Sequence, residues 1–187
     1  MLVDWNNKCV NVKIVYYGPA MSGKTTSLKK LFEKVSPNQH VKSLETSTGR
    51  TLFFDYAPLS INQKDWTIQV EVWSATGQDY YAETRLTVLA DTDGIIFVAD
   101  SQRKYAEENL RSWKELISFF GDKLEKEIPV VVSMNKYDLG DVISEDDLRA
   151  ILKSCKSTVY IRSVAVTGFN VVESFKTVLE KIFHQNF

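Results

Sequence analysis

Two rhythms of apolar residues run along this chain, and their alternation predicts its architecture. Residues 12–17 are β-branched and aromatic and close at Gly18, which predicts a buried strand feeding a turn. Between 24 and 35, Leu28, Leu31, Phe32 and Val35 recur at spacings of three and four until Pro37 ends the pattern, as in a helix. Residues 36–50 are polar, with Ser and Thr frequent and no period, and read as a long surface loop. Segments 52–59 and 67–73 predict two strands joined by a polar connection at 60–65. In the second, Trp66, Ile68, Val70 and Val72 alternate with more polar residues, as in a strand near a sheet edge. An irregular stretch from Ser74 leads to a helix at 82–89. Segment 95–99 is apolar throughout and segment 130–133 is apolar up to Ser133, which predicts strands buried on both faces. Helices follow from the patterns at 106–120, 145–152 and 171–183, with a last strand at 158–164. This alternation predicts an α/β fold, with helices on both faces of a mostly parallel central sheet. With no repeat, low-complexity tract or linker in view, one domain is expected over 1–187, its core at about 11–184.

Composition narrows the partners. Lys and Arg number 23 against 24 Asp and Glu, so no nucleic-acid partner is expected, and the 44% apolar share is that of a folded domain. Apolar runs are far shorter than the roughly 20 residues of a membrane-spanning helix. Neither the first residues nor the final His184-Gln185-Asn186-Phe187 carries a leader or lipid-anchor signal, so no membrane span or lipid anchor is expected. Cys9 and Cys155 are far apart and form no disulfide or zinc pattern, which favours a cytoplasmic protein.

The chemistry begins at Gly18, Pro19, Ala20, Met21, Ser22, Gly23, Lys24 and Thr25, which fit the phosphate-loop pattern Gly-x-x-x-x-Gly-Lys-Ser/Thr between a predicted strand and a predicted helix. Glycines let the backbone curl so that N–H groups face phosphates, and the helix start, through Thr26, adds partial positive charge. Lys24 is expected on the β- and γ-phosphates and the Thr25 hydroxyl on Mg²⁺.

Such a loop does not choose the base. Asn135-Lys136-Tyr137-Asp138, directly after the strand at 130–133, does. A carboxylate at Asp138 can accept from both guanine N1–H and the 2-amino group, whereas adenine offers it no such pair. Lys136 can lay its stem along the base, and the Asn135 amide can tie the two loops together.

With these motifs in hand, the chain resembles the small Ras-like GTPases, and more closely their prokaryotic MglA-type branch. The likeness lies in Val15-Tyr16-Tyr17-Gly18-Pro19, Arg50-Thr51-Leu52-Phe53-Phe54-Asp55, Thr76-Gly77-Gln78 and Phe97-Val98-Ala99-Asp100-Ser101. It implies a P-loop NTPase of the Ras-like G-domain fold, a GTP/GDP switch in cell polarity or motility, and a GTPase-activating partner of the roadblock fold. Residues 36–50 are similar to switch I and 74–88 to switch II, where effectors would bind. Thr51 matches the threonine that joins Mg²⁺, Gln78 the glutamine that orients the attacking water beside Gly77, and Val164, Ala165 and Val166 the loop whose N–H meets guanine O6. Only the Ala of the usual Ser-Ala-Lys is kept there.

One position departs from most Ras-like GTPases. Four residues before Gln78, where they hold Mg²⁺ through water with an aspartate, this chain has Ser74, a trait the MglA-type branch shares. Asp55 is a candidate replacement, and equally a solvated edge-strand carboxylate. Arg50, directly before Thr51, is expected to act as a built-in arginine finger with Gln78 and Lys24 in catalysis. Asp100 and Ser101 read as a strand end and cap rather than chemistry. The function expected is a molecular switch with slow intrinsic GTP hydrolysis; the alternative is a nucleotide-dependent binding scaffold with little or no hydrolysis, motivated by Ser74.

Overall fold

The computed structural model describes residues 1–38, 41–45, 51–76, 82–155 and 157–186. Its centre is strand β2 (Cys9–Tyr17), which pairs in parallel with β5 (Trp66–Ala75) on one side and β6 (Gly94–Asp100) on the other. Beyond β6 the sheet continues in parallel through β7 (Val130–Asn135) to β8 (Val159–Arg162). Beyond β5 it turns antiparallel through β4 (Thr51–Gln63) to β3 (Lys42–Glu45), and the short β1 (Leu2–Asp4) pairs antiparallel with β2. The order is β3-β4-β5-β2-β6-β7-β8.

Helices α1 (Lys24–Val35) and α5 (Val171–Asn186) pack on each other. With Ile14, Tyr16, Val70, Ile96 and Val131 they enclose one core layer, to which they contribute Leu28, Leu31, Phe32, Phe175, Val178 and Ile182. Helices α2 (Ala82–Leu89), α3 (Ala106–Phe120) and α4 (Glu145–Leu152) cover the opposite face over Val15, Tyr17, Phe97, Val132 and Met134. This is why β6 and β7 read as mainly apolar runs: every residue of both is buried, including Asp100, Ser133 and Asn135.

Three expectations need correction. The strand at 67–73 does not lie near an edge; β5 sits between β4 and β2, and its alternation records unequal cover of its two faces. The segment 36–50 is not loop throughout, since Lys42–Glu45 pairs with β4 as the edge strand. The hairpin is longer than expected, with register running from Phe54↔Ala75 to Gln63↔Trp66 around Lys64 and Asp65. Lys64 takes φ +54°, the left-handed conformation of a tight hairpin turn. Among the described residues no helix is long and apolar enough to cross a membrane.

Candidate functional site

The carboxyl ends of β2, β6 and β7 converge, and in open α/β sheets ligands bind outside those ends. Residues 18–23 leave β2 there and enter α1. Gly18, at φ +141°, passes so close to β6 that a Cβ would stand 2.3 Å from the Val98 carbonyl oxygen. Gly23, at φ +102°, caps α1, and a Cβ there would stand 2.2 Å from Asn135 Nδ2. Both glycines are thus fixed by close approach as well as by conformation. Met21 also turns left-handed, at φ +61°, and its side chain faces solvent. Pro19 O accepts from Ser22 N at 3.3 Å, and Ser22 is buried. The first turn of α1 carries no acidic residue, so its N-terminal partial charge is left for an anion.

Lys24 folds back over the loop, donating to Gly18 O at 2.9 Å and Pro19 O at 2.7 Å. Burial pulls its pKa down to about 7, with the nearby Asp55 carboxylate opposing. An anionic phosphate beside the ammonium would favour its charged form.

Beside it, the Thr25 hydroxyl donates to Asp55 Oδ2 at 2.6 Å. Asp55 is fully buried, so it is no solvated edge carboxylate, and it faces buried Ser74 directly across the β4–β5 pair. A hydroxyl and a carboxylate at this spacing are a hard oxygen donor set that fits Mg²⁺, which takes few protein ligands and completes its shell with phosphate and water.

Asn135 is the keystone between the two loops. Its Nδ2 donates to Ser22 O at 2.7 Å and its Oδ1 accepts from Ala165 N at 2.8 Å. The tie to the phosphate loop was expected; the Ala165 N–H, expected at guanine O6, here serves Asn135. The loop around it is closed by Val164 and Phe169, which exchange backbone bonds, while the Val166 side chain faces solvent. Asp138 is exposed to solvent. Thr26 follows Thr25 half-buried in the first turn of α1.

Sequence reasoning missed two features. Lys136 Nζ lies 2.6 Å from Asp100 Oδ2, so Asp100 does more than end a strand. Its position at the carboxyl end of a parallel strand was the available signal. On the phosphate side, Arg85 of α2 is buried against Glu115 of α3, 2.6 Å away. Tyr17, at the end of β2, has its pKa raised, first by burial and then by Glu115. These residues line a polar cavity of about 210 Å³ with Pro19, Ala20 and Thr76.

Thr76, directly after β5, is buried. Gly77, Gln78 and Arg50 lie outside the described residues, and so does the side chain of Thr51, whose backbone begins β4.

Residues 13–184 match the Ras family. The chain is 35% identical to the "Mutual gliding-motility protein MglA" of Myxococcus xanthus (strain DK1622), over 96% of this chain and 94% of that protein. It is 27% identical to the "DnaJ homolog subfamily C member 27" of Mus musculus, over 91% of this chain and 60% of that protein. It is 22% identical to the "Ras-related protein Rab11C" of Lotus japonicus, over 92% of this chain and 75% of that protein. A strand-to-helix phosphate loop tied through Asn135 to the segment at Ala165 thus sits in a chain that belongs to the Ras family, as a small Ras-like GTPase of the MglA type.

Proposed function

We propose that this protein is a single G domain over 1–187 that alternates between GTP- and GDP-bound forms, hydrolyses GTP slowly by itself, and acts in cell polarity or gliding motility. The observation that carries the nucleotide reading is the Asn135 side chain, which holds Ser22 of the phosphate loop and Ala165 of the base loop at once. The motility role is taken from the similarity to the Myxococcus protein and its printed name.

In this reading residues 18–26 wrap the phosphates, Lys24 neutralises charge on the transferring oxygens, and Asp138 reads the guanine edge, with Val164 to Val166 closing the base pocket. Thr25 and Thr51 hold Mg²⁺, with Asp55 supplying the carboxylate that Ser74 lacks. When bound, the ion neutralises charge shared by the β- and γ-phosphates. Gln78, next to Gly77, orients the attacking water, and Arg50 reaches the γ-phosphate once a partner sets the loop. That dependence makes unassisted turnover slow. The partner expected is a GTPase-activating protein of the roadblock fold, effectors bind the switch segments, and the cytoplasm is the place of action.

The test is mass analysis of nucleotide carried through native purification, followed by single-turnover hydrolysis of GTP with and without excess Mg²⁺. Bound guanine nucleotide and slow, Mg²⁺-dependent phosphate release are expected. Bound nucleotide with no release in either condition would leave a scaffold in place of a switch that turns itself off.

A further inference from the structure

Lys136 sits in the base-reading segment with its backbone at φ +61°, and its ammonium meets Asp100 Oδ2 at 2.6 Å. Asp100 is almost wholly buried, at 4% side-chain exposure against 28% for Lys136, so this contact is shielded from solvent screening. The other carboxylate oxygen of Asp100 accepts from the backbone N–H and the side-chain amide of Gln102, both at 3.1 Å. The peptide of Asp100 is gripped as well. Asn109, fully buried on α3, accepts from Asp100 N at 3.0 Å and donates to Asp100 O at 2.8 Å, acting on β6 as a strand partner would. The Tyr105 ring lies 5.6 Å from the Lys136 ammonium. Asn135, the register partner of Asp100, accepts from Ser101 N through its backbone oxygen at 2.9 Å.

A lysine stem can cover a base only if its head is held; a free ammonium would follow water and carry the methylenes away. Here the head is held by the carboxylate of Asp100, whose other oxygen accepts two hydrogen bonds from Gln102 and whose backbone N–H and C=O are both bonded by Asn109. The pairing also cancels the positive charge next to the base, so what the base meets is an apolar stem.

We propose that Asp100 is a positioning residue for the base pocket, which holds Lys136 over guanine and thereby sets how fast GDP and GTP leave, with Asn109 fixing Asp100 from α3. The proposal rests on the assignment of residues 135–138 to guanine.

The experiment is release of a fluorescent GDP and of a fluorescent, slowly hydrolysed GTP analogue from the full chain, chased with excess GDP. Asp100→Asn keeps the shape and one acceptor but not the charge. It should speed release of both nucleotides by about tenfold, the size of loss expected when one charge-assisted bond is weakened. Lys136→Ala should do the same, and the double variant should release no faster than Lys136→Ala alone, because Asp100 acts through Lys136. Asn109→Ala should accelerate release by a smaller factor. Unchanged release from Asp100→Asn, or effects that multiply in the double variant, would overturn the proposal. A change for the GTP analogue only would place the effect on the phosphates and overturn it too. Asp138→Asn serves as the control: if its preference moves from guanosine to xanthosine diphosphate while Asp100→Asn stays like wild type, the guanine assignment stands and the positioning role alone falls.

Discussion

Asp55 accepts a hydrogen bond from Thr25 and stands opposite Ser74 in the same strand pair, so the buried carboxylate beside the Thr25 hydroxyl comes from β4, one strand over from the position of Ser74. Adding a carboxylate at Ser74 therefore places two acidic groups face to face. Like charges on directly opposed residues repel, and burial enlarges the penalty. We expect Ser74→Asp to raise the Mg²⁺ concentration required for tight nucleotide binding by about tenfold, and Asp55→Ala to raise it by 10–100-fold, the range for losing an outer-shell group. Ser74→Asp combined with Asp55→Asn should return toward wild type. Titrating Mg²⁺ against the nucleotide dissociation rate in the three variants checks this, and three unchanged curves would remove Asp55 from the site.

The two loop glycines should fail differently. An alanine at Gly18 drives a Cβ into the Val98 backbone oxygen, which has nowhere to go, so Gly18→Ala should cost roughly 1–3 kcal/mol or more in unfolding free energy. At Gly23 the obstacle is the side-chain amide of Asn135, which can swing aside at the expense of its bond to Ser22. Gly23→Ala should keep more of its stability and lose nucleotide affinity. Denaturant unfolding and nucleotide titration, run on both, should separate them.

Base choice should follow Asp138. Replacing one carboxylate oxygen by an amide donor mismatches the guanine 2-amino group and suits the carbonyl of xanthine. Asp138→Asn should weaken GTP by roughly 1–3 kcal/mol and strengthen xanthosine triphosphate. Competition binding with both nucleotides measures it; equal losses for the two would show that Asp138 does not face the base edge.

Arg50 and Gln78 are expected to matter only when a partner sets them. Arg50→Ala should leave GTP affinity and unassisted turnover close to wild type, and Gln78→Leu should keep GTP affinity. Each should remove most of the stimulation by a roadblock-type activator, a factor of roughly 10³–10⁵ for an arginine finger. Single-turnover hydrolysis with and without that activator decides the matter. Full stimulation of Arg50→Ala would mean that the guanidinium comes from elsewhere.

Local patterns were enough for much of this protein. The phosphate loop was legible because its glycines, lysine and threonine are contiguous and their placement between a strand and a helix is dictated by the same few residues. Helices α2, α3 and α4 have the bounds that their apolar spacing predicts, and local signals mark some of their ends: the Ser144 side chain accepts from Asp147 N to cap the start of α4, and Gly121 follows the end of α3. What depends on pairing between distant segments was not legible. Strand β3 has a polar sequence and exists because β4 offers it an edge, and β5 looks like an edge strand although β2 and β4 flank it. Nor could spacing along the chain show that Asp55 meets Thr25, that Asp100 meets Lys136 or that Arg85 meets Glu115, residues 30, 36 and 30 positions apart. Those contacts are set when the sheet register and the helix layers bring separate stretches together, and a charged group buried there depends on the partner that tertiary packing supplies.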